Sequence, residues 1–203
     1  MPVFEASALA LLVTAAFSYL VGSIPFGVLV TKAMGLGDLR KIGSGNIGAT
    51  NVLRTGNKAA ALATLILDGG KGAVAVLVAR ACVGPDAAQV AALASFLGHL
   101  YPVWLNFKGG KGVATFLGTL LALAWPVGIA ACLTWLATAL VTRISSLSAL
   151  VAAAAAAPLA WALGHGDLVL LILIMAALVF WRHGTNIARL RAGTEPRIGT
   201  KKG

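Results

Sequence analysis

The residues best suited to chemistry lie in a glycine-rich, basic stretch in the first third of the chain. Its centre reads Gly43-Ser-Gly-Asn-Ile-Gly-Ala-Thr-Asn-Val-Leu-Arg54. A glycine-rich approach to a helix N-terminus exposes backbone N–H groups at the positive end of the helix dipole, which favours an anion. We expect Ser44 or Asn46 to cap a short helix that runs to about Arg54. Asn46, Thr50 and Arg54 are spaced so that such a helix would present all three on one face.

A second glycine-rich turn carries two lysines, in Asn106-Phe-Lys-Gly-Gly-Lys-Gly112. Its glycines permit a backbone nest, and its lysines add positive charge for a phosphate. The turn is not a Walker A loop, because that motif requires Gly-Lys-Ser or Gly-Lys-Thr. Taken alone, it is equally consistent with the positive charge that membrane proteins place in cytoplasmic turns. The candidate binding residues of this turn are Lys108, Gly109, Gly110, Lys111 and Gly112.

A third candidate segment, Arg182-His-Gly-Thr-Asn-Ile-Ala-Arg-Leu-Arg191, follows the last apolar run of the chain. His183 and Asn186 are three residues apart, so on a helix both point the same way. A histidine beside a cytoplasmic headgroup region can bind phosphate or move a proton near neutral pH. The alternative is a basic helix end whose long side chains reach anionic lipid.

Charged and polar residues also interrupt two apolar runs. Asp68 and Lys71 lie inside such a run, where each charge costs about 2.5–3.5 kcal/mol on insertion scales. Their spacing allows them to pair, and we expect a structural ion pair. His99 lies close in sequence to the glycine-lysine turn. It either orients that turn or is an interior histidine with satisfied hydrogen bonds.

The composition places the chain in a lipid bilayer. Of its 203 residues 59% are hydrophobic and 11% charged, and its mean hydropathy is +0.92. The formal charge of +10 would suit nucleic acid. Its basic residues instead lie between long apolar runs, as in membrane proteins, so we expect no nucleic-acid partner. The acidic residues form no DxD or DxxD pair, so we expect no metal site.

Apolar runs of roughly the length of a membrane-spanning helix recur along the chain. The longest, 112–142, contains Trp125-Pro126 near its middle, and a proline there favours a new helix. With the N-terminus outside, the basic turns and the basic tail face the cytoplasm. We predict an all-α integral membrane protein with about seven transmembrane helices, a cytoplasmic C-terminus and one domain over 1–203. The predicted spans are 4–31, 59–83, 87–106, 112–124, 126–142, 144–163 and 167–181.

Five motifs in a fixed order resemble the bacterial acyl-phosphate:glycerol-3-phosphate acyltransferases, the PlsY family, over nearly the whole chain. They are Gly22-Ser-Ile-Pro-Phe-Gly27, the stretch 43–54, Asp68-Gly-Gly-Lys-Gly72, Gly98-His-Leu-Tyr-Pro102 with Phe107-Lys-Gly-Gly-Lys-Gly-Val-Ala-Thr115, and His183-Gly-Thr-Asn-Ile-Ala-Arg-Leu190 with Gly193-Thr-Glu-Pro196.

The resemblance implies a seven-span enzyme that uses no metal or organic cofactor. Such an enzyme moves an acyl chain from acyl phosphate to the 1-hydroxyl of glycerol 3-phosphate, giving lysophosphatidic acid and phosphate. The catalytic residues would be Ser44, Arg54, Lys111, His183 and Asn186. The substrate-binding residues would be Gly43, Gly45, Asn46, Thr50, Asn51, Lys108, Gly109, Gly110, Gly112, Ser146 and Ser148.

The residue chemistry agrees with an acyl-phosphate donor. Many glycerolipid acyltransferases use a His-x4-Asp pair, but here positions 104, 170 and 188, five after each histidine, hold Trp, Leu and Ala. A protein without that pair requires a donor that is already reactive, such as a carboxylic–phosphoric mixed anhydride. The base could be His183 or a phosphate oxygen of the substrate, and the residues leave both open.

The main alternative is a transporter of a phosphorylated solute. It would require polar groups along a path through both leaflets, and the outer half of this chain offers little beyond Arg80. We expect a bacterial cytoplasmic (inner) membrane protein whose active site faces the cytoplasm. We expect no obligatory protein partner.

Overall fold

A computed structural model describes residues 5–199, and all regular secondary structure in that part is helical. The α-helices are α1 (Ala8–Gly22), α2 (Phe26–Ala33), α3 (Ala49–Val52), α4 (Lys58–Cys82), α5 (Pro85–Leu100), α6 (Val113–Leu123), α7 (Trp125–Thr142), α8 (Ser145–Ala162), α9 (Val169–Arg182) and α10 (Gly184–Arg191). Short 3-10 turns lie at Leu39–Lys41, Leu53–Thr55, Val103–Leu105 and Gly166–Leu168.

Five helical stretches in the described residues are long and apolar enough to cross a membrane. They are Ala8–Ala33, Lys58–Cys82, Pro85–Leu105, Trp125–Thr142 and Ser145–Ala162. A bent pair, Gly166–Arg182 with Gly184–Arg191, turns by 64°, and Val113–Leu123 is a shorter apolar helix. The predicted all-helical membrane fold is confirmed. The count of seven spans and the orientation of the termini stay predictions.

The predicted break near Trp125-Pro126 is confirmed. Helix α6 ends at Leu123, and α7 begins at Trp125 with Pro126 in its first turn. The Arg80 guanidinium donates to the carbonyls of Ala122 and Leu123, over 3.0 and 2.8 Å. The carbonyls at a helix end lack partners within the helix, so Arg80 supplies donors to two of them.

The residue contacts divide the chain into two compact units, one running to Leu123 and the other from Ala124. In the first unit α5 packs on α1 and α4, and α4 also packs on α6 and the short helices α2 and α3. In the second unit α8 packs on α7 and α9. The single domain over 1–203 stays a prediction.

Glycines allow the helices of the first unit to touch backbone to backbone. A Cβ at Gly98 of α5 would lie 2.2 Å from the carbonyl oxygen of Tyr19 on α1. A Cβ at Gly118 of α6 would lie 2.2 Å from the carbonyl oxygen of Gly69 on α4. Small residues of this kind let membrane helices pack closely where the hydrophobic effect does not drive them together.

The predicted ion pair inside α4 is confirmed. Lys71 Nζ lies 2.8 Å from Asp68 Oδ1, and both side chains are 2% exposed. Lys71 Nζ also donates to the carbonyl of Ile24, over 2.8 Å, in the break between α1 and α2. The buried ammonium group therefore has two acceptors, which reduces the cost of its burial.

We expect Gly98→Ala to destabilise the protein, because its Cβ would overlap the Tyr19 carbonyl. Overpacking of this kind costs about 1–3 kcal/mol. Gly70→Ala is the matched control, since a Cβ at Gly70 in α4 meets nothing within 4 Å. The control should be neutral or gain up to about 1 kcal/mol from helix propensity. Thermal unfolding in detergent measures both, and a Gly98→Ala protein as stable as wild type would contradict the close crossing.

Candidate functional site

The Asn51 side chain holds the first candidate loop together by hydrogen bonds to residues 39, 42 and 44. This buried side chain belongs to the four-residue helix α3. Its amide nitrogen donates to the carbonyls of Leu39 and Ile42, over 3.1 and 2.9 Å. Its Oδ1 accepts the backbone N–H of Ser44 over 3.1 Å. One amide group therefore holds residues 39–44 against α3.

Two predicted catalytic side chains converge on this amide. Ser44 Oγ and Arg54 Nη1 each lie 3.4 Å from Asn51 Oδ1, and both residues are exposed. A Cβ at Gly43 would lie 2.7 Å from Arg54 Cδ, and the φ of Gly43 is +55°. The positive φ therefore favours glycine at position 43, and an added Cβ would displace the Arg54 side chain. The cluster presents a guanidinium and a hydroxyl to solvent beside a glycine backbone.

The predicted helix beginning at Ser44 or Asn46 is wrong. Helix α3 follows Gly48 without a side-chain cap and spans four residues. Asn46 precedes it, so Asn46 does not share a helix face with Thr50 and Arg54. The reason is that Gly45 has φ of +70° and Gly48 is extended, with ψ of 167°, and a right-handed helix contains neither conformation. A helix this short also has little dipole to offer an anion.

The glycine-lysine turn lies directly on the end of α5. The N–H groups of Gly109 and Gly110 donate to the carbonyls of Leu100 and His99, over 3.2 and 3.1 Å. A Cβ at Gly110 would lie 2.2 Å from His99 Nε2. The predicted nest is therefore wrong at Gly109 and Gly110, because their N–H groups bond to α5 and not to an anion. These glycines serve close packing.

Both lysines of this turn remain accessible to a ligand. Lys108 is exposed and Lys111 is half-buried. Gly112 has φ of +82°, and a Cβ there would lie 2.3 Å from the Phe96 ring, so the backbone beside Lys111 is fixed against α5. Two cations therefore extend from a turn whose backbone packs closely against α5.

In the second unit, Glu195 accepts hydrogen bonds from two of the candidate residues, Ser146 and Asn186. Its Oε1 accepts from Ser146 Oγ over 2.7 Å and also from Asn186 Nδ2. Its Oε2 accepts from Arg189 Nε over 2.6 Å. Burial acts to raise the pKa of the Glu195 carboxyl, but these hydrogen bonds and the Arg189 charge outweigh burial and lower the pKa below its ordinary value. The carboxylate is therefore ionised at neutral pH.

The segment that carries Glu195 is tied back to the turn between α7 and α8. The N–H of Ile198 donates to the Arg143 carbonyl over 2.6 Å, and Arg143 Nη2 donates to the Ile198 carbonyl over 3.3 Å. Glu195 lies in the Gly193-Thr-Glu-Pro196 motif, but no role was predicted for it from the sequence. The sequence feature that could have indicated a role for Glu195 is that it is a single acidic residue within a basic tail.

His183 and Asn186 lie where α9 bends into α10, and both are buried. His183 Nδ1 lies 2.8 Å from the carbonyl of Val179. A carbonyl can only accept, so we assign a proton to Nδ1. Asn186 lies within α10 and bonds to Glu195, whereas His183 precedes that helix and bonds to α9.

The predicted serine pair divides between two environments. Ser146 bonds to Glu195 and so joins Asn186. Ser148 Oγ donates to the Ile144 carbonyl, over 2.9 Å, within the start of its own helix. The structure therefore brings Ser146 to the Glu195 cluster and leaves Ser148 outside it.

The predicted residues thus fall into three local groups. Ser44, Asn51 and Arg54 form the first, the glycine-lysine turn forms the second, and Ser146 with Asn186 forms the third. Among residues 5–199, no three His, Cys, Asp or Glu side chains come together in a way that could hold a metal ion.

Comparison with known proteins gives the chain a family. The family model for glycerol-3-phosphate acyltransferase matches residues 12–193. A glycerol-3-phosphate acyltransferase of Cereibacter sphaeroides is 69% identical over 201 residues, covering 99% of this chain and 96% of that protein. The corresponding protein of Roseobacter denitrificans is 64% identical over 198 residues, covering 98% of this chain and 99% of that protein.

Solved structures agree with the sequence matches. The chain is similar to crystal structures of PlsY (YgiH), an integral membrane glycerol 3-phosphate acyltransferase. The glycerol 3-phosphate form has a TM-score of 0.88 and 40% sequence identity, and the match covers 94% of this chain and 96% of that one. The lysophosphatidic acid form has a TM-score of 0.86 and 39% identity, with the same coverage. This chain therefore belongs to the glycerol-3-phosphate acyltransferase family.

Proposed function

We propose that this chain transfers the acyl chain of an acyl phosphate to the 1-hydroxyl of glycerol 3-phosphate. Family membership gives the acceptor and the acyl transfer, and the acyl-phosphate donor is our inference. PlsY has been solved in glycerol 3-phosphate and lysophosphatidic acid forms, which correspond to the acceptor and the product of this reaction. The hydroxyl oxygen attacks the acyl carbon, the bond from that carbon to the phosphate oxygen breaks, and phosphate leaves with the electron pair.

The Ser44–Asn51–Arg54 cluster is the observation that carries the proposal. An exposed guanidinium lies beside an exposed hydroxyl and a glycine backbone, all held by one buried amide. A guanidinium presents a rigid fork of donors that matches the oxygens of a phosphate. Because Asn51 fixes the loop in advance, a phosphate would bind without having to order it.

The lysines of the glycine-lysine turn add charge for the same chemistry. Both substrates carry phosphate, and a charge-assisted hydrogen bond is worth about 1.5–3 kcal/mol. Lys108 is exposed, and Lys111 is half-buried on a turn packed against α5. Fixed cations of this kind neutralise the two phosphates and stabilise the charge that develops as the leaving phosphate departs.

The second unit supplies groups for orientation and proton transfer. Glu195 accepts from Ser146 and Asn186, which fixes two polar side chains. His183 could take the proton of the attacking hydroxyl. A phosphate oxygen of the substrate is the other candidate base, and the proposal holds with either.

The proposed cellular location follows from the apolar helices and the basic loops. Apolar helices suit the acyl chain, and the basic loops suit the cytoplasmic side, where water-soluble glycerol 3-phosphate is available. We therefore propose the bacterial cytoplasmic membrane, with the reacting groups facing the cytoplasm and with no protein partner required.

The donor is tested with the purified protein, glycerol 3-phosphate and a chelator. Palmitoyl phosphate and palmitoyl coenzyme A are supplied in separate reactions, and lysophosphatidic acid and free phosphate are measured. The proposal predicts equal amounts of both products from palmitoyl phosphate and no lipid product from the thioester. Product from the thioester alone would overturn the donor assignment. Uptake of glycerol 3-phosphate into proteoliposomes without any lipid product would favour transport.

Arg54→Ala should lower kcat/KM by at least about a hundredfold, because it removes two or more charge-assisted hydrogen bonds to phosphate. Arg54→Lys keeps the charge without the fork and should fall between that variant and wild type. Arg40→Ala is the matched control in the same loop, since that exposed side chain pairs with Asp38. The control should stay within about twofold of wild type. Equal losses from Arg40→Ala and Arg54→Ala would contradict a specific role for Arg54.

Glu195→Gln should lower the stability of the protein at neutral pH by about 1–2 kcal/mol, because the charged acceptor of three hydrogen bonds is lost. A carboxyl with a lowered pKa stabilises the fold above its unfolded pKa of about 4.3, and that stabilisation disappears as pH falls through the folded pKa. The difference in unfolding free energy between wild type and Glu195→Gln should therefore shrink as pH falls below about 4. A difference that stays constant between pH 7 and pH 3 would contradict this account.

A further inference from the structure

The first unit, which carries the loop 43–54 and the glycine-lysine turn, also contains a buried polar cluster that the proposed chemistry does not use. It consists of Asp68 and Lys71 on α4 and His99 on α5. Asp68 Oδ1 lies 2.8 Å from Lys71 Nζ and 3.6 Å from His99 Nδ1. The three side chains are 2–3% exposed. We name them the buried triad.

The triad reaches the glycine-lysine turn through His99. The imidazole lies against Gly110, where an added Cβ would come within 2.2 Å of Nε2. The His99 carbonyl also accepts the N–H of Gly110 over 3.1 Å. On the far side of the turn, Thr115 Oγ1 donates to the backbone carbonyl of Asp68 over 2.8 Å. The backbone that carries Lys111 is therefore held at both ends by the backbone carbonyls of His99 and Asp68, and the His99 ring packs directly against it at Gly110.

The triad reaches the first loop through Lys71. Its Nζ donates to the Ile24 carbonyl over 2.8 Å and lies 5.8 Å from the centre of the Phe26 ring. Ile24 lies in the break between α1 and α2, and Phe26 is the first residue of α2. Next to them, a Cβ at Gly27 would lie 1.8 Å from the carbonyl oxygen of Ile47. The loop 43–54 therefore rests on the segment that Lys71 holds.

Stability alone does not account for charges at this position. Each charge costs about 2.5–3.5 kcal/mol at membrane depth. Replacing a buried ion pair by apolar side chains of similar volume is often neutral or stabilising. A helix that needed only to pack would do as well with apolar residues. Lys71 instead donates to the Ile24 carbonyl in the break between α1 and α2, and Asp68 lies beside His99, whose ring packs on the glycine-lysine turn. A directional bond of this kind fixes position as well as contributing energy.

We propose that Asp68, Lys71 and His99 are positioning residues, which set the glycine-lysine turn and the loop 43–54 so that Lys111 and Arg54 stand ready for phosphate. This inference rests on the proposed function. It adds a buried support to the two loops, and none of the three residues touches substrate. Displacement of a binding group by about 1 Å can cost about a hundredfold in rate.

The test is a double-mutant cycle on kcat/KM between His99→Ala and Lys111→Ala. His99→Ala alone should lower kcat/KM by about 10- to 100-fold. In the Lys111→Ala background it should cost less than about threefold, because the group that it positions is already gone. Ser95→Ala is the control, since Ser95 is buried on the same helix and donates within it, over 3.2 Å to the Ala92 carbonyl. It should match wild type. The same loss from His99→Ala in both backgrounds would overturn the proposal.

A second variant covers the case in which His99→Ala fails to fold. Asp68→Asn with Lys71→Met removes both charges together, so no unpaired charge is left in the helix. This double variant should unfold near the wild-type temperature and still lose about 10-fold or more in kcat/KM. Wild-type kcat/KM in that protein would overturn the proposal.

Hydrogen exchange of residues 106–112 gives a readout that needs no turnover. His99→Ala should speed exchange at Gly109 and Gly110, whose N–H groups bond to the end of α5, and Ser95→Ala should not. If wild type formed no lysophosphatidic acid, the proposed function would fail while exchange still tested the support. Unchanged exchange in His99→Ala would overturn the positioning role.

Discussion

The structure depends on one constraint, which is that polar groups at membrane depth must find their partners within the chain. The Asp68–Lys71 pair satisfies it inside α4, and Arg80 satisfies it at the end of α6 by bonding two carbonyls. Each of these bonds also joins two elements. Lys71 reaches the break between α1 and α2, and Arg80 joins α4 to α6. Pairing of buried polar groups therefore organises the first unit as well as making it compatible with lipid.

The same logic governs the candidate binding residues, which gather around single polar side chains. Asn51 has an amide that both donates and accepts, so it can close a loop and still receive Ser44 and Arg54. The Glu195 carboxylate can only accept hydrogen bonds, so it binds the donors Ser146, Asn186 and Arg189. In each case one side chain orders several others before any substrate arrives. Such preorganisation lowers the cost of binding a charged ligand.

The sequence allowed the helical membrane fold to be predicted, because apolar length and proline placement are local signals. The break at Trp125-Pro126 followed from a proline inside a long apolar run, and the Asp68–Lys71 pair followed from spacing. The helix predicted from Ser44 or Asn46 failed, because the loop is set by bonds from Asn51 to residues up to twelve positions away. The role of Glu195 was missed for the same reason, since Ser146 lies 49 residues from it. Spacing along the chain does not show such long-range hydrogen bonds.

The central claim is that fixed cations and donors recognise the phosphate of the acceptor. The most direct measurement compares kcat/KM for glycerol 3-phosphate with that for glycerol, using the same acyl phosphate. Two or more charge-assisted hydrogen bonds are worth about 3–6 kcal/mol, which corresponds to a preference of about 10²–10⁴ for the phosphorylated acceptor. The account predicts a ratio in that range. A ratio close to one would contradict it, because the phosphate would then contribute nothing to recognition.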